Sequence, residues 1–89
     1  MNYTWHEPKR QANLKKHGLD LADAFQVFDG PVMTRENPRD YEGEQRFNST
    51  GFLGAALVTL SHTENSRAIH IIPMRKASTH ESREFYSYL

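Results

Sequence analysis

Apolar residues follow two rhythms along this chain of 89 residues, and one segment follows neither. Between positions 20 and 28, Leu21, Ala24, Phe25 and Phe28 recur at i, i+3, i+4 and i+7, the stripe of a helix that lays one face on a core. Asp20 is a good N-cap, Asp23 adds negative charge to the first turn, and Asp29-Gly30-Pro31 ends the element. Further on the period shortens to two. Residues 32–35 read as a short strand, 45–50 as a second with Phe47 inward, and 55–62 as the most apolar strand. Gly51-Phe52-Leu53-Gly54 reads as a hairpin turn, and 63–67 as a polar one. Residues 68–72 are β-branched and apolar on both faces, which makes that strand central. Residues 36–43 are polar and acidic, most simply a surface loop. Ser78-Thr79-His80-Glu81 is a capping box that opens a last helix running to about Tyr88. A short strand over Tyr3–Trp5 starts the chain. Short turns between strands favour an antiparallel sheet with the helices packed on it. The expected fold is one α+β domain over residues 1–89. Two helices lie near its start and one at its end, with Phe25, Phe28, Val58, Leu60 and Ile71 buried.

Residues 7–17 break both rhythms. Pro8 suits a first helical turn and Gly18 the left-handed residue past a helix end, so the segment reads as a helix. Only Ala12 and Leu14 offer a core anything. Lys9, Asn13 and His17 are spaced i, i+4, i+8, with Lys16 beside them, so cations, an amide and an imidazole share one stripe. That set suits a phosphodiester: charge for the phosphate, hydrogen bonds for orientation, imidazole for proton transfer. The same residues also describe a plain solvated helix, with His17 favourably placed against the helix dipole.

Composition narrows the picture. There is no cysteine, so no disulfide or thiolate chemistry, which fits a cytoplasmic protein. No apolar run approaches a membrane span, and no signal-peptide pattern opens the chain. The formal net charge is zero, but residues 1–18 and 45–89 lean basic while 19–44 are acidic. A polyanion would therefore meet a local patch rather than a strong overall field.

An ordered set of short stretches then carries a resemblance. They are Trp5 through Lys9, Asn13 through Lys16-His17-Gly18, Ala24 through Val27-Phe28-Asp29, Glu44-Gln45-Arg46, Ile69 through Ile72, and Arg75-Lys76-Ala77 followed by Glu81 and Tyr86. In order and spacing this set resembles the BrnT family of small toxins from bacterial toxin–antitoxin pairs. The resemblance implies a RelE-like fold, ribosome-independent RNA cleavage that inhibits translation, and a ribbon-helix-helix antitoxin of the BrnA kind. Operator DNA would be bound only through that antitoxin. The chain departs from the pattern at His6, usually acidic, at His70, usually basic, and at Pro73, usually small and polar. Pro73 lacks a backbone donor, so a strand end or bulge is expected there.

Metal-free RNA cleavage uses the 2′-hydroxyl as internal nucleophile. It needs a base, cations on the phosphorane-like transition state and an acid for the leaving oxygen. The expected catalytic set is Arg46 and Arg75 on the phosphate, Lys9 positioning it, and His17 transferring the proton, with Glu44 in reserve as base. Asn13, Lys16 and Lys76 complete the expected RNA contacts. His62, His70 and His80 read as incidental, and Tyr86 as packing on the sheet. No metal site is expected, since no two histidines lie at tight ligand spacing. No cofactor motif is present. Two other readings stay open: a non-catalytic antitoxin-binding module that acts as co-repressor of its own operon, and a plain interaction domain. Convergence of Lys9, His17, Arg46 and Arg75 separates the enzyme from the module.

Overall fold

The chain enters the sheet at one edge and lays its second strand at the other. The computed structural model describes residues 2–89. Strand β1 (Asn2–Trp5) leads into α1 (Glu7–His17), a 3₁₀ turn (Leu21–Asp23) and α2 (Phe25–Asp29). Strands β2 (Val32–Tyr41), β3 (Glu44–Leu53), β4 (Ala56–Glu64) and β5 (Ala68–Lys76) follow, then α3 (Thr79–Tyr88). The sheet order is β1-β5-β4-β3-β2. Strands β2 to β5 form an antiparallel meander, but β1 runs parallel to β5, pairing Asn2 with Ala68 through Trp5 with Ile71. The sheet is therefore mixed rather than antiparallel. Short turns correctly imply the meander, but they are silent about β1, which is separated from its partner by most of the chain.

One face of the sheet carries the main core. Val58, Leu60, Ile69, Ile71 and Met74 pack there against Leu21, Ala24 and Val27. The expected stripe of Phe25 and Phe28 is corrected here. The 3₁₀ turn has three residues per turn and resets the helical phase, so the buried positions fall at 21, 24 and 27. Phe25 is left 43% exposed, and Phe28 is half-buried against Tyr3 and His62. Val58, Leu60 and Ile71 are buried as expected. On the opposite face, α3 packs Phe85 edge-on to Phe52. Its capping box is formed, with Ser78 Oγ accepting from the Glu81 N–H and the Glu81 carboxylate accepting from the Ser78 N–H.

Two expected turns move. Residues 36–41 continue β2, and the reversal is the two-residue turn Glu42-Gly43, both at positive φ. The second hairpin turns at Gly54-Ala55, because Gly51 is needed for close approach. A Cβ at Gly51 would lie 3.0 Å from the Pro31 carbonyl oxygen and 3.0 Å from Val27 Cγ1. Pro73 does mark a bulge: the β4–β5 register shifts between Leu60↔Met74 and His62↔Ile71.

Helix α1 is attached by polar bonds. Ala12 and Leu14 are exposed, and the buried residue is Asn13. Strand β1 stops pairing at Trp5↔Ile71, which leaves the next stretch of β5 with an open edge. Asn13 closes it. Its Nδ2 donates to the Met74 carbonyl at 3.0 Å and its Oδ1 accepts from the Met74 N–H at 3.0 Å, as a neighbouring strand's peptide would. Nδ2 also donates to the Leu19 carbonyl at 2.9 Å, tying down the chain past Gly18. Arg10 adds an ion pair to Asp20 at 2.9 Å and another to Glu7. The Asp20 carboxyl is held below its ordinary range by the Ala22 N–H and, in smaller part, by Arg10.

His62 is fully buried in the core face. Its Nε2 lies 2.7 Å from Ser49 Oγ, which in turn bonds Thr34 Oγ1 at 2.8 Å. Its Nδ1 has no hydrogen-bond partner among the described residues. Burial pushes the imidazole down from 6.5 to about 4, so the folded state holds it neutral. The unfolded chain binds this proton at higher pH than the folded one. The stability due to the neutral ring is thus complete above about pH 6.5 and is lost as pH falls towards about 4, a change of about 3 kcal/mol. Thermal unfolding is expected to show the melting temperature dropping through this window, and His62→Gln should flatten the drop. Asn13→Ala leaves the Met74 peptide unpaired at the buried end of α1. Urea unfolding is expected to show a loss of about 1–3 kcal/mol, with the exposed control Lys15→Ala within about 0.5 kcal/mol of wild type.

Candidate nucleic-acid interface

A groove runs between α1 and β5, and the Asn13 anchor sets its width. At one end Lys9, Ala12, Asn13, Lys16 and His17 face Ile72 and Pro73 around a space of about 300 Å³. At the other end Trp5, His6 and Lys9 face His70, Ile71 and Ile72 around about 480 Å³. Lys9 and Ile72 belong to both, so the two spaces adjoin. Among the described residues, no carboxylate lines either space. The walls follow from two periods. On α1, residues 9, 12, 16 and 17 share a face. On β5, His70 and Ile72 alternate with the core residue Ile71 until the bulge at Pro73.

Two histidines in the groove are held differently. The parallel register sets Thr4 beside His70, and Thr4 Oγ1 lies 2.8 Å from His70 Nδ1. His6 is the N-cap residue of α1, yet its side chain makes no capping bond. The basic end of the helix, Lys15, Lys16 and His17, complements the dipole.

The groove gathers Lys9, Lys16 and His17 from the expected set. Asn13 lines it too, but it is only 8% exposed and its amide is committed to Met74 and Leu19. Its amide thus anchors α1 to β5 and to the chain past Gly18. Arg75 lies elsewhere. It is paired across β4 with Thr59 and clamped by Glu81, through bonds of 2.7 and 2.9 Å. Hydrogen bonding to Glu81 raises the guanidinium, and the same bond is the main cause that holds the Glu81 carboxyl down at about 2. Arg46 pairs with Glu44 at 3.0 Å. It precedes Phe47, which is opposite His62, and so lies on the same sheet face as Thr63 and His70. Lys76 is exposed at the end of β5, opposite Val58. Lys9 and His17 thus share a groove, whereas Arg75 is held outside it by the capping residue of α3. The Ser78-to-Glu81 motif was the available signal for that clamp. His6 and His70 were missed because their proximity depends on the parallel β1–β5 pairing. Among the described residues, no group of three His, Asp or Glu side chains is arranged to hold a metal ion.

Comparison with known proteins gives the family. No curated protein sequence matches significantly. The family model described as "Ribonuclease toxin, BrnT, of type II toxin-antitoxin system" matches residues 5–81. The crystal structure of the Brucella abortus ribonuclease toxin BrnT is similar, with a TM-score of 0.67 and 35% identity over 89% of this chain and 99% of that one. The family match covers most of the sequence, including both walls of the groove, and the chain belongs to the BrnT family of ribonuclease toxins of type II toxin–antitoxin systems.

Proposed function

We propose that this chain is a metal-independent endoribonuclease that cleaves RNA, inhibits translation and is neutralised by a ribbon-helix-helix antitoxin. The observation that carries the reading is the α1–β5 groove. It gathers two lysines and three histidines, and among the described residues no carboxylate lines it to repel a phosphodiester. Lys9, at the junction of the two spaces, holds the reacting phosphate. Lys16 and His17 hold the backbone one helical stretch further along. Proton transfer belongs to imidazoles, the side chains suited to it near neutrality. An antitoxin neutralises such a protein by covering the groove with acidic or amphipathic segments.

The Arg75–Glu81 clamp favours a second reading. A cation held in an ion pair is not aimed at substrate, which suits a module that docks the antitoxin and acts as co-repressor without cleaving. Purified protein with a defined RNA separates the two. The enzyme reading expects cleavage that persists in EDTA and stops when the neighbouring gene's product is added at micromolar concentration. Lys9→Ala and Lys16→Ala should each weaken RNA binding across sequences and reduce the salt slope by about one. A tight antitoxin complex with no cleavage under any condition would establish the co-repressor instead.

A further inference from the structure

We infer that His6 and His70 form an acid–base pair around Lys9, and that this pair, rather than His17, moves the protons of cleavage. The inference rests on the nuclease reading above. All three side chains line one space of about 480 Å³, with Trp5, Ile71 and Ile72 as its apolar walls. His6 precedes the helix as its N-cap residue, and Lys9 lies in the first turn. His6 stands at an N-cap, where Ser, Thr, Asp or Asn would accept a bond from the first turn. The imidazole does not make that bond, so helix stability gives no account of its presence. His70 is fixed through one nitrogen only. Thr4 Oγ1 meets Nδ1 at 2.8 Å, which sets the ring and leaves Nε2 as the nitrogen available to the groove.

The chemistry balances within this set. His6 accepts the 2′-hydroxyl proton as O2′ forms its bond to phosphorus. The bond from phosphorus to O5′ breaks, and protonated His70 donates its Nε2 proton to O5′ while its Nδ1–H stays on Thr4 Oγ1. The products are a 2′,3′-cyclic phosphate and a 5′-hydroxyl end, with one proton taken and one given. Thr4 supports the imidazolium as an acceptor for its second N–H, which assigns His70 as the acid and His6 as the base. The Lys9 ammonium, from the same space, receives charge on the non-bridging oxygens. His17 lies eight residues beyond Lys9, about 12 Å along the helix. It does not line the space that holds His6 and His70.

The test compares wild type, His6→Ala, His70→Ala, His70→Gln and His17→Ala on an RNA oligonucleotide and on uridine 3′-(p-nitrophenyl phosphate). The aryl leaving group of the second substrate departs without a proton. His6→Ala should lose about a hundredfold or more in kcat on both substrates, with KM little changed. His70→Ala should lose about as much on RNA but stay within a few-fold of wild type on the aryl ester. His70→Gln keeps a side chain able to bond Thr4. It should melt like wild type yet lose the same activity on RNA, which separates chemistry from folding. Wild-type kcat in both His6→Ala and His70→Ala would overturn the pair, as would equal losses of His70→Ala on the two substrates. A kcat loss confined to His17→Ala would return proton transfer to that residue. If the wild type cleaves neither substrate, the nuclease reading fails and takes this inference with it.

Discussion

One side-chain amide holds the groove open. Asn13 bonds both the N–H and the C=O of Met74, standing in for a strand where β1 has ended. Without it, α1 would have little reason to lie there, since its apolar residues Ala12 and Leu14 are exposed. Burial of an amide is unfavourable unless its polar atoms are satisfied, and here Oδ1 and Nδ2 both are. The dependence is directional in a way that hydrophobic packing is not. Two hydrogen bonds to the backbone of one residue fix both the height and the rotation of α1 on β5. The stripe of Lys9, Lys16 and His17 is aimed by the same bonds.

The elements with a clean period were legible in the sequence. The apolar alternation of β4, the β-branched run of β5 and the capping box of α3 each state their geometry locally, and each stands in the structure. What failed depended on events elsewhere. Phe25 is apolar at helical spacing, but the 3₁₀ turn ahead of it shifts the phase and hands its place to Val27. Residues 36–41 look like a loop because an edge strand with polar side chains has no alternation to display. The candidate site divides along the same line. Lys9, Lys16 and His17 share a face because helical spacing alone puts them there. His6 and His70 meet only through the parallel pairing of strands more than sixty positions apart, which no local pattern encodes.

Four histidines illustrate how environment, rather than residue type, assigns a role. His62 sits among Phe28 and Phe47, is satisfied on one nitrogen by Ser49, and is held neutral by burial. It is part of the core, and its cost appears only when acid charges it in the unfolded chain. His70 has a similar arrangement on paper, one ring nitrogen against a hydroxyl. It differs in lying on the other face of the sheet, where the second nitrogen meets the groove rather than the core. His17 and His6 stand near the two ends of α1, one among cations and the other at an N-cap it does not cap. A census of five histidines at the sequence level cannot sort them. The pleat of β4 and β5 sorts two of them, and the ends of α1 sort two more.

Charge follows a comparable logic. A neutral chain gives no overall field to draw in a polyanion, so any attraction has to be built locally. The fold does this by withdrawing carboxylates from the groove. Glu7 and Asp20 both pair with Arg10, and Glu81 and Arg75 are clamped together under α3. The cations left along α1 then act at short range, within about a Debye length of the bound backbone. Arg75 in this arrangement fixes the start of α3 to β5. The local field at the groove thus depends on which ion pairs the fold closes as much as on which cations it leaves open.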